Sequence, residues 1–142
     1  QKWPKPELIV LTIQKEVARR IIAKPPHMNL LAVSVQFFAT ADILCYITKS
    51  QFKPVPKVDS AIIKLMPKSK FYILNSKFFF TVVRAGFSQK RKLLINNLLK
   101  LRNDKERLIK IFKNIKIPEK SRAENLDLEN WLNLANELEF NQ

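Results

Sequence analysis

The sequence predicts an α+β fold: a sheet-containing piece over residues 1–67, followed by a small all-helical bundle over residues 68–142. Two observations carry this. Short apolar runs rich in β-branched residues recur between residues 8 and 66 at strand length, the last of them closed by Pro67. After Pro67 the apolar residues change to the three-and-four spacing of amphipathic helices. At 142 residues and 46% apolar, the chain is long enough to bury a real core.

The elements follow in order. Leu8 to Ile13 is a continuous apolar run, the pattern of a strand buried on both faces of a parallel sheet. Gln14 to Ile22 turns helical, with Val17, Ile21 and Ile22 on one face, and Pro25-Pro26 ends it. Leu30 to Ala39 reads as a second, mostly apolar helix. Ala41 to Thr48 alternates as a strand, Lys49 to Lys57 is a loop stiffened by Pro54 and Pro56, and Val58 to Met66 is another strand. Beyond a boundary near residues 67–74, Phe78 to Phe87 begins a helix that Asn75 or Ser76 can cap. Leu94–Leu99, Leu108–Ile115 behind Asp104, and Leu128–Leu138 behind Asp127 supply three further stripes. Three strands make a poor independent sheet, and an unpaired apolar edge invites aggregation. Further strands are therefore expected N-terminal to Gln1, and the absence of an initiating Met fits a piece of a longer chain.

Composition excludes several chemistries. Gly86 is the only glycine, so neither a P-loop nor a dinucleotide-binding glycine turn can be written here. Cys45 and His27 are each alone, which removes disulfides, cysteine-based zinc sites and paired-histidine metal sites. No apolar run reaches the ~18 residues of a membrane span, and a cytoplasmic setting is expected.

Charge points the other way, toward a partner. The net charge of +14 is uneven: residues 1–66 carry +6, residues 67–122 carry +13, and residues 123–142 carry −5. A basic block of this density is the footprint of a polyanion-binding surface, nucleic acid being the common case. Many of its lysines will simply be solvated helix faces.

Two constellations stand out. Phe52-Lys53-Pro54-Val55-Pro56-Lys57 sets an aromatic beside cations in a proline-stiffened loop. Such a group can stack on an unpaired base, or Phe52 can pack the loop onto the sheet. Ser88-Gln89-Lys90-Arg91-Lys92 joins the first two bundle helices, with Arg84 one turn earlier and Arg122 before the last helix. That grouping suits phosphate contact. Ser121-Arg122-Ala123-Glu124 has capping-box spacing. Glu16 and Asp59 read as a helix N-terminal charge and a turn residue, not as acid–base partners.

Four blocks taken together carry a resemblance: Gln14-Lys15-Glu16-Val17-Ala18, Phe52 to Ala61, Ala85 to Lys92, and Arg122-Ala123-Glu124-Asn125-Leu126. In order and spacing the chain resembles the small-subunit ribosomal RNA adenine dimethyltransferases, the KsgA family, over nearly its whole length. The related erythromycin-resistance methyltransferases lack a comparable last block and match less well. Gly86 stands where the family commonly has alanine, and Lys90 where it commonly has arginine. Gly86 is expected to weaken its helix by up to ~1 kcal/mol.

The resemblance implies a Rossmann-like methyltransferase domain, of which residues 1–67 would be the C-terminal portion, and a helical rRNA-binding domain over 68–142. It implies methyl transfer from S-adenosylmethionine to N6 of two adjacent adenines in small-subunit rRNA, on a pre-30S particle, by a cytoplasmic monomer needing no metal or membrane. The family's cofactor loop, ribose-binding acid and Asn-Leu/Ile-Pro-Tyr catalytic motif have no counterpart in this sequence. No catalytic or cofactor-binding residue is therefore assigned, and the chain alone is expected to be inactive and not to bind the cofactor. What carries over is Phe52 as the aromatic facing the target base, Pro54 and Pro56 as its support, and Arg84, Lys90, Arg91, Lys92 and Arg122 as rRNA contacts. A non-catalytic RNA-binding or ribosome-assembly module derived from the same family is the competing reading.

Overall fold

The computed structural model describes residues 6–68 and 75–140; most of the expected boundary at 67–74 lies outside them. Three strands, β1 (Ile9–Gln14), β2 (Ala39–Ile47) and β3 (Ser60–Pro67), form one sheet in the order β1-β3-β2. Among the described residues six helices accompany them: α1 (Lys15–Ile21), α2 (Leu30–Phe38), α3 (Ser76–Gly86), α4 (Leu94–Leu98), α5 (Lys105–Asn114) and α6 (Leu128–Phe140). Single 3-10 turns lie at Lys49–Gln51 and Ala123–Asn125.

The central strand β3 runs antiparallel to both neighbours, so β1 and β2 run parallel to each other. This corrects the reading of residues 8–13 as a doubly buried strand of a parallel sheet. Its hydrogen-bonded neighbour among the described residues is antiparallel, and Leu8, Val10 and Leu11 are about half exposed. A continuous apolar run reports hydrophobicity on both faces, but it carries no information on strand direction. Ala61 and Ile63 on β3 are fully buried on the face packed by α1 and α2, whereas Met66, of the alternate set, is exposed. A register shift between Ile43 and Cys45 makes a bulge in β2 and re-aims the strand's last residues.

Caps set the helix starts. The Asn29 side chain accepts the Ala32 N–H at 3.1 Å, Asn75 that of Phe78 at 3.0 Å, Asp104 that of Arg107 at 2.9 Å and Asp127 that of Asn130 at 2.8 Å. Each satisfies one of the orphan donors of a helix N-terminus. The capping box expected at Ser121 is shifted by one residue. Ser121 is buried with its carbonyl taken by the Leu94 N–H at 2.9 Å, and Asn125 accepts the Arg122 N–H at 2.7 Å.

Helix α2 is the shared element. It braces α1, because Gln36 Nε2 donates to the Ile21 and Ala23 carbonyls at 2.9 Å each and Asn29 Nδ2 donates to that of Arg20 at 2.9 Å. Its other side joins the helices beyond residue 75. Phe37 stacks on Phe79 at 4.7 Å and meets Phe80 edge-on at 5.1 Å, while the Met28 N–H reaches the Glu124 carbonyl at 3.1 Å. One continuous apolar core therefore runs from Met28, Val33 and Phe37 through Phe79, Leu98 and Phe112 to Trp131 and Leu138.

Candidate nucleic-acid interface

Two basic surfaces emerge, one at each end of the α1–α2 unit. The first is built on the α3–α4 junction. Helix α3 ends at Gly86 and the chain turns through Ser88–Lys92, all exposed. Beneath the turn lies Asn97 of α4, almost fully buried, whose Nδ2 donates to the carbonyls of Gly86 and Gln89, the latter at 3.1 Å. A buried amide with two bonds is worth more as a positioning group than an exposed one. It fixes the turn, so that Lys90, Arg91 and Lys92 project from a rigid base.

Next to this turn opens a groove of about 450 Å³, whose lining includes Lys90, Phe87, Arg20, His27, Met28 and Glu124. Arg122 lies beside it and approaches Glu124 at 4.0 Å. The structure thus brings Lys90 together with the Arg122 segment. It adds Arg20 and His27, which no local sequence pattern marks, because they belong to elements sixty or more residues away. Arg84 is exposed in the last turn of α3.

The second surface lies at the carboxyl ends of β1 and β2. Gln14 and Ile47 both register with Ser60, so the two parallel strands end in one row. Ligands of α/β sheets commonly bind outside such ends. The 48–59 segment leaves β2 here and returns to β3. Phe52 is half-buried, lies outside the continuous core and makes no ring contact among the described residues. Its N–H donates to the Lys49 carbonyl at 3.3 Å, and the half-buried Pro56 follows the exposed Pro54. Phe52 is not gathered with Lys90–Lys92 into one cavity.

Asp59 anchors this loop. Its Oδ1 accepts the Lys49 N–H at 3.2 Å, its Oδ2 faces Lys15 Nζ at 3.4 Å, and its carbonyl accepts the Lys15 N–H at 3.0 Å. The Lys49 N–H, the largest influence, holds the Asp59 carboxyl below its ordinary value; desolvation opposes it, and the neighbouring Lys15 and the Lys49 charge add to the lowering. A carboxylate with a depressed pKa contributes stability above its unfolded pKa, and loses it as pH falls through the folded one. Asp59→Asn is thus expected to melt below the wild type at neutral pH. The two melting curves should converge once the pH drops beneath the ordinary carboxylate range. A melting-temperature difference that persists unchanged in acid would assign Asp59 a role independent of its charge.

An antiparallel strand runs between two parallel ones, with an aromatic loop at their carboxyl ends and a cationic helical junction, and this α+β fold is shared with solved methyltransferase structures. Among solved structures, a dimethyladenosine transferase from Plasmodium falciparum superposes with a TM-score of 0.76 at 28% identity, over 95% of this chain and 57% of that one. The 23S rRNA methyltransferase ErmE shares the fold at a TM-score of 0.73 and 21% identity, over 94% and 55%. The chain belongs to the ribosomal RNA adenine dimethylase family, whose sequence profile matches residues 3–139. Curated relatives named ribosomal RNA small subunit methyltransferase A include those of Crocosphaera subtropica, 45% identical over 141 residues, and Bacillus cytotoxicus, 39% identical over 137. Those alignments take in 95% and 91% of this chain but 51% and 47% of the relatives. The chain spans about half the length of the curated relatives it matches. Among the described residues no helix is long and apolar enough to cross a membrane, and no cluster of metal-ligating side chains occurs.

Proposed function

We propose that this chain is the base-presenting and RNA-docking portion of an enzyme that dimethylates N6 of two adjacent adenines in small-subunit rRNA. It works in the cytoplasm on a pre-30S particle, with S-adenosylmethionine as methyl donor. The observation that carries the reading is membership of the adenine dimethylase family, combined with the exposed Lys90-Arg91-Lys92 turn on its buried Asn97 brace. This reading divides the labour between the two parts of the chain. Residues 1–67 present Phe52 at the strand ends, and residues 68–142 hold the phosphate backbone through Arg84, Lys90, Arg91, Lys92 and Arg122.

The methyl donor does not fit the residues described. Gly86, the only glycine, is packed beneath Trp131, so it cannot bring backbone N–H groups to a ligand. Of the two carboxylates at the strand ends, Glu16 and Asp59, the latter is occupied by Lys15 and the Lys49 N–H. What this chain supplies is orientation: a base must leave its stack before its N6 can react, and an aromatic face together with fixed cations can hold it and its strand.

The test is the basic turn. Lys90→Ala, Arg91→Ala and Lys92→Ala in one variant should weaken RNA binding and lower the salt slope by about two to three units, near one for each phosphate no longer neutralised. The fold should persist, because all three side chains are exposed. An unchanged slope with unchanged affinity would make the turn a solvated surface.

A further inference from the structure

The sequence blocks Gln14–Ala18 and Lys57–Ala61 lie about forty residues apart, and neither has a task in the proposed docking of RNA. The structure joins them. Lys15 on α1 meets Asp59 through two hydrogen bonds, and around this joint opens a cleft of about 390 Å³ whose walls carry the cations Lys15, Arg19, Lys49 and Lys57. Glu16 and Asp59 are the carboxylates on the same walls.

The charges do not cancel. Asp59 faces Lys15 and the backbone of Lys49. Among the described residues, the side chains of Arg19, Lys49 and Lys57 lie within ion-pair distance of no carboxylate. Tyr46 of β2 holds two of the cations in place, with Lys15 Nζ 5.3 Å and the Arg19 guanidinium 5.7 Å from its ring centroid. Cation–π contact of this kind orders long side chains that would otherwise sweep through solvent. A cleft with one ordered and unpaired guanidinium, that of Arg19, two further unpaired lysines and about two units of excess positive charge suits one phosphate group. Lys57 closes the same six-residue segment that Phe52 opens.

We propose that this cleft is a phosphate subsite, which takes one phosphodiester of the RNA strand adjoining the base presented at Phe52. Arg19, Lys49 and Lys57 contact the phosphate, while Asp59 positions Lys15 and the loop and does not touch the strand. The proposal rests on the RNA-docking function, and it adds a second contact region at the sheet end, made by different residues.

The experiment measures binding of the 142-residue chain to a single-stranded RNA oligonucleotide containing two adjacent adenines, by fluorescence anisotropy across a KCl series. Wild type, Arg19→Ala/Lys57→Ala, Lys57→Glu and the Lys90/Arg91/Lys92 triple alanine variant are compared. Lys57 is exposed and unpaired among the described residues, so Lys57→Glu preserves the fold and keeps the proposal testable if the double variant does not fold. In parallel, single phosphodiesters flanking the adenines are replaced by neutral methylphosphonates. In the cleft variants the salt slope is expected to fall by about 0.7 for each phosphate that is no longer neutralised. One methylphosphonate position should weaken the wild type but leave Arg19→Ala/Lys57→Ala, or Lys57→Glu, unaffected. If the triple variant changes the slope but the cleft variants do not, the subsite is wrong and RNA docking stands. If the cleft variants and the methylphosphonate weaken binding additively at every position, the subsite is also wrong. If the wild type does not bind RNA at all, both the subsite and the docking function fall.

Discussion

Under the proposed function, Phe52→Ala is expected to lower single-turnover methylation of small-subunit rRNA by about ten- to a hundredfold, corresponding to roughly 1–3 kcal/mol of forfeited base stacking. Phe52 is half-buried, belongs to no aromatic cluster and sits outside the apolar core, so its ring is available to a base that has left its own stack. The segment behind it is tied down by Asp59 and carries Pro54 and Pro56, so little conformational freedom is lost on engagement. Phe52→Tyr and Phe52→Trp should keep much of the activity, since the π-face survives. RNA affinity should change little, because docking is assigned to the basic surfaces. Full activity in Phe52→Ala would remove the stacking role. A large drop in melting temperature would instead make Phe52 a packing residue.

The second large effect is on stability, and it centres on Trp131. Its ring is fully buried and stacks on Phe87 at 5.3 Å. It lies over Gly86, where a Cβ would run into the Trp131 ring and come within 2.9 Å of Leu94 Cδ1. Helix propensity alone makes glycine at 86 a disadvantage relative to alanine. Packing reverses the sign: alanine would gain about 1 kcal/mol of propensity but force a fully packed ring to shift, which typically costs 1–3 kcal/mol. Gly86→Ala is therefore expected to be destabilising by about 1 kcal/mol overall, balancing these two effects. Trp131→Ala should cost about 3–5 kcal/mol, as large aromatic-to-alanine changes in cores do. The two sites should be coupled. Trp131→Phe forfeits no hydrogen bond, because Nε1 has no partner among the described residues, and it removes the ring atoms that a Cβ would strike. Gly86→Ala should then be better tolerated in the Trp131→Phe background, and urea unfolding of the double-mutant cycle would measure the coupling. Additive effects would mean that the approach of the ring does not limit residue 86.

Much of the local structure was legible in the amino-acid order. Apolar spacing located the helices, and Asn75, Asp104 and Asp127 were readable as caps, because capping depends on a side chain and a backbone N–H two or three residues apart. The Lys90-Arg91-Lys92 turn was legible as three exposed cations at a helix junction, but its brace was not. Asn97 reads as an ordinary polar residue until the fold buries it beneath the turn. Arg20 and His27 were likewise invisible as neighbours of Lys90, since nothing in a local pattern reports a groove between distant elements.

The sequence by itself determined the α+β composition, the order of the elements, the family blocks and the uneven charge, all of which are properties of neighbours along the chain. Tertiary structure alone decided that β3 enters antiparallel between two parallel strands, and that α2 shares one core with α3 and α6. It also decided that Lys15 and Asp59 close a cationic cleft, and that residue 86 has room only for glycine. The physical reason is common to all four. Strand direction, ring packing and charge pairing are set by groups that approach within a few ångströms in space while lying tens of residues apart. Hydrophobic periodicity fixes which face of an element is buried, but not what it is buried against.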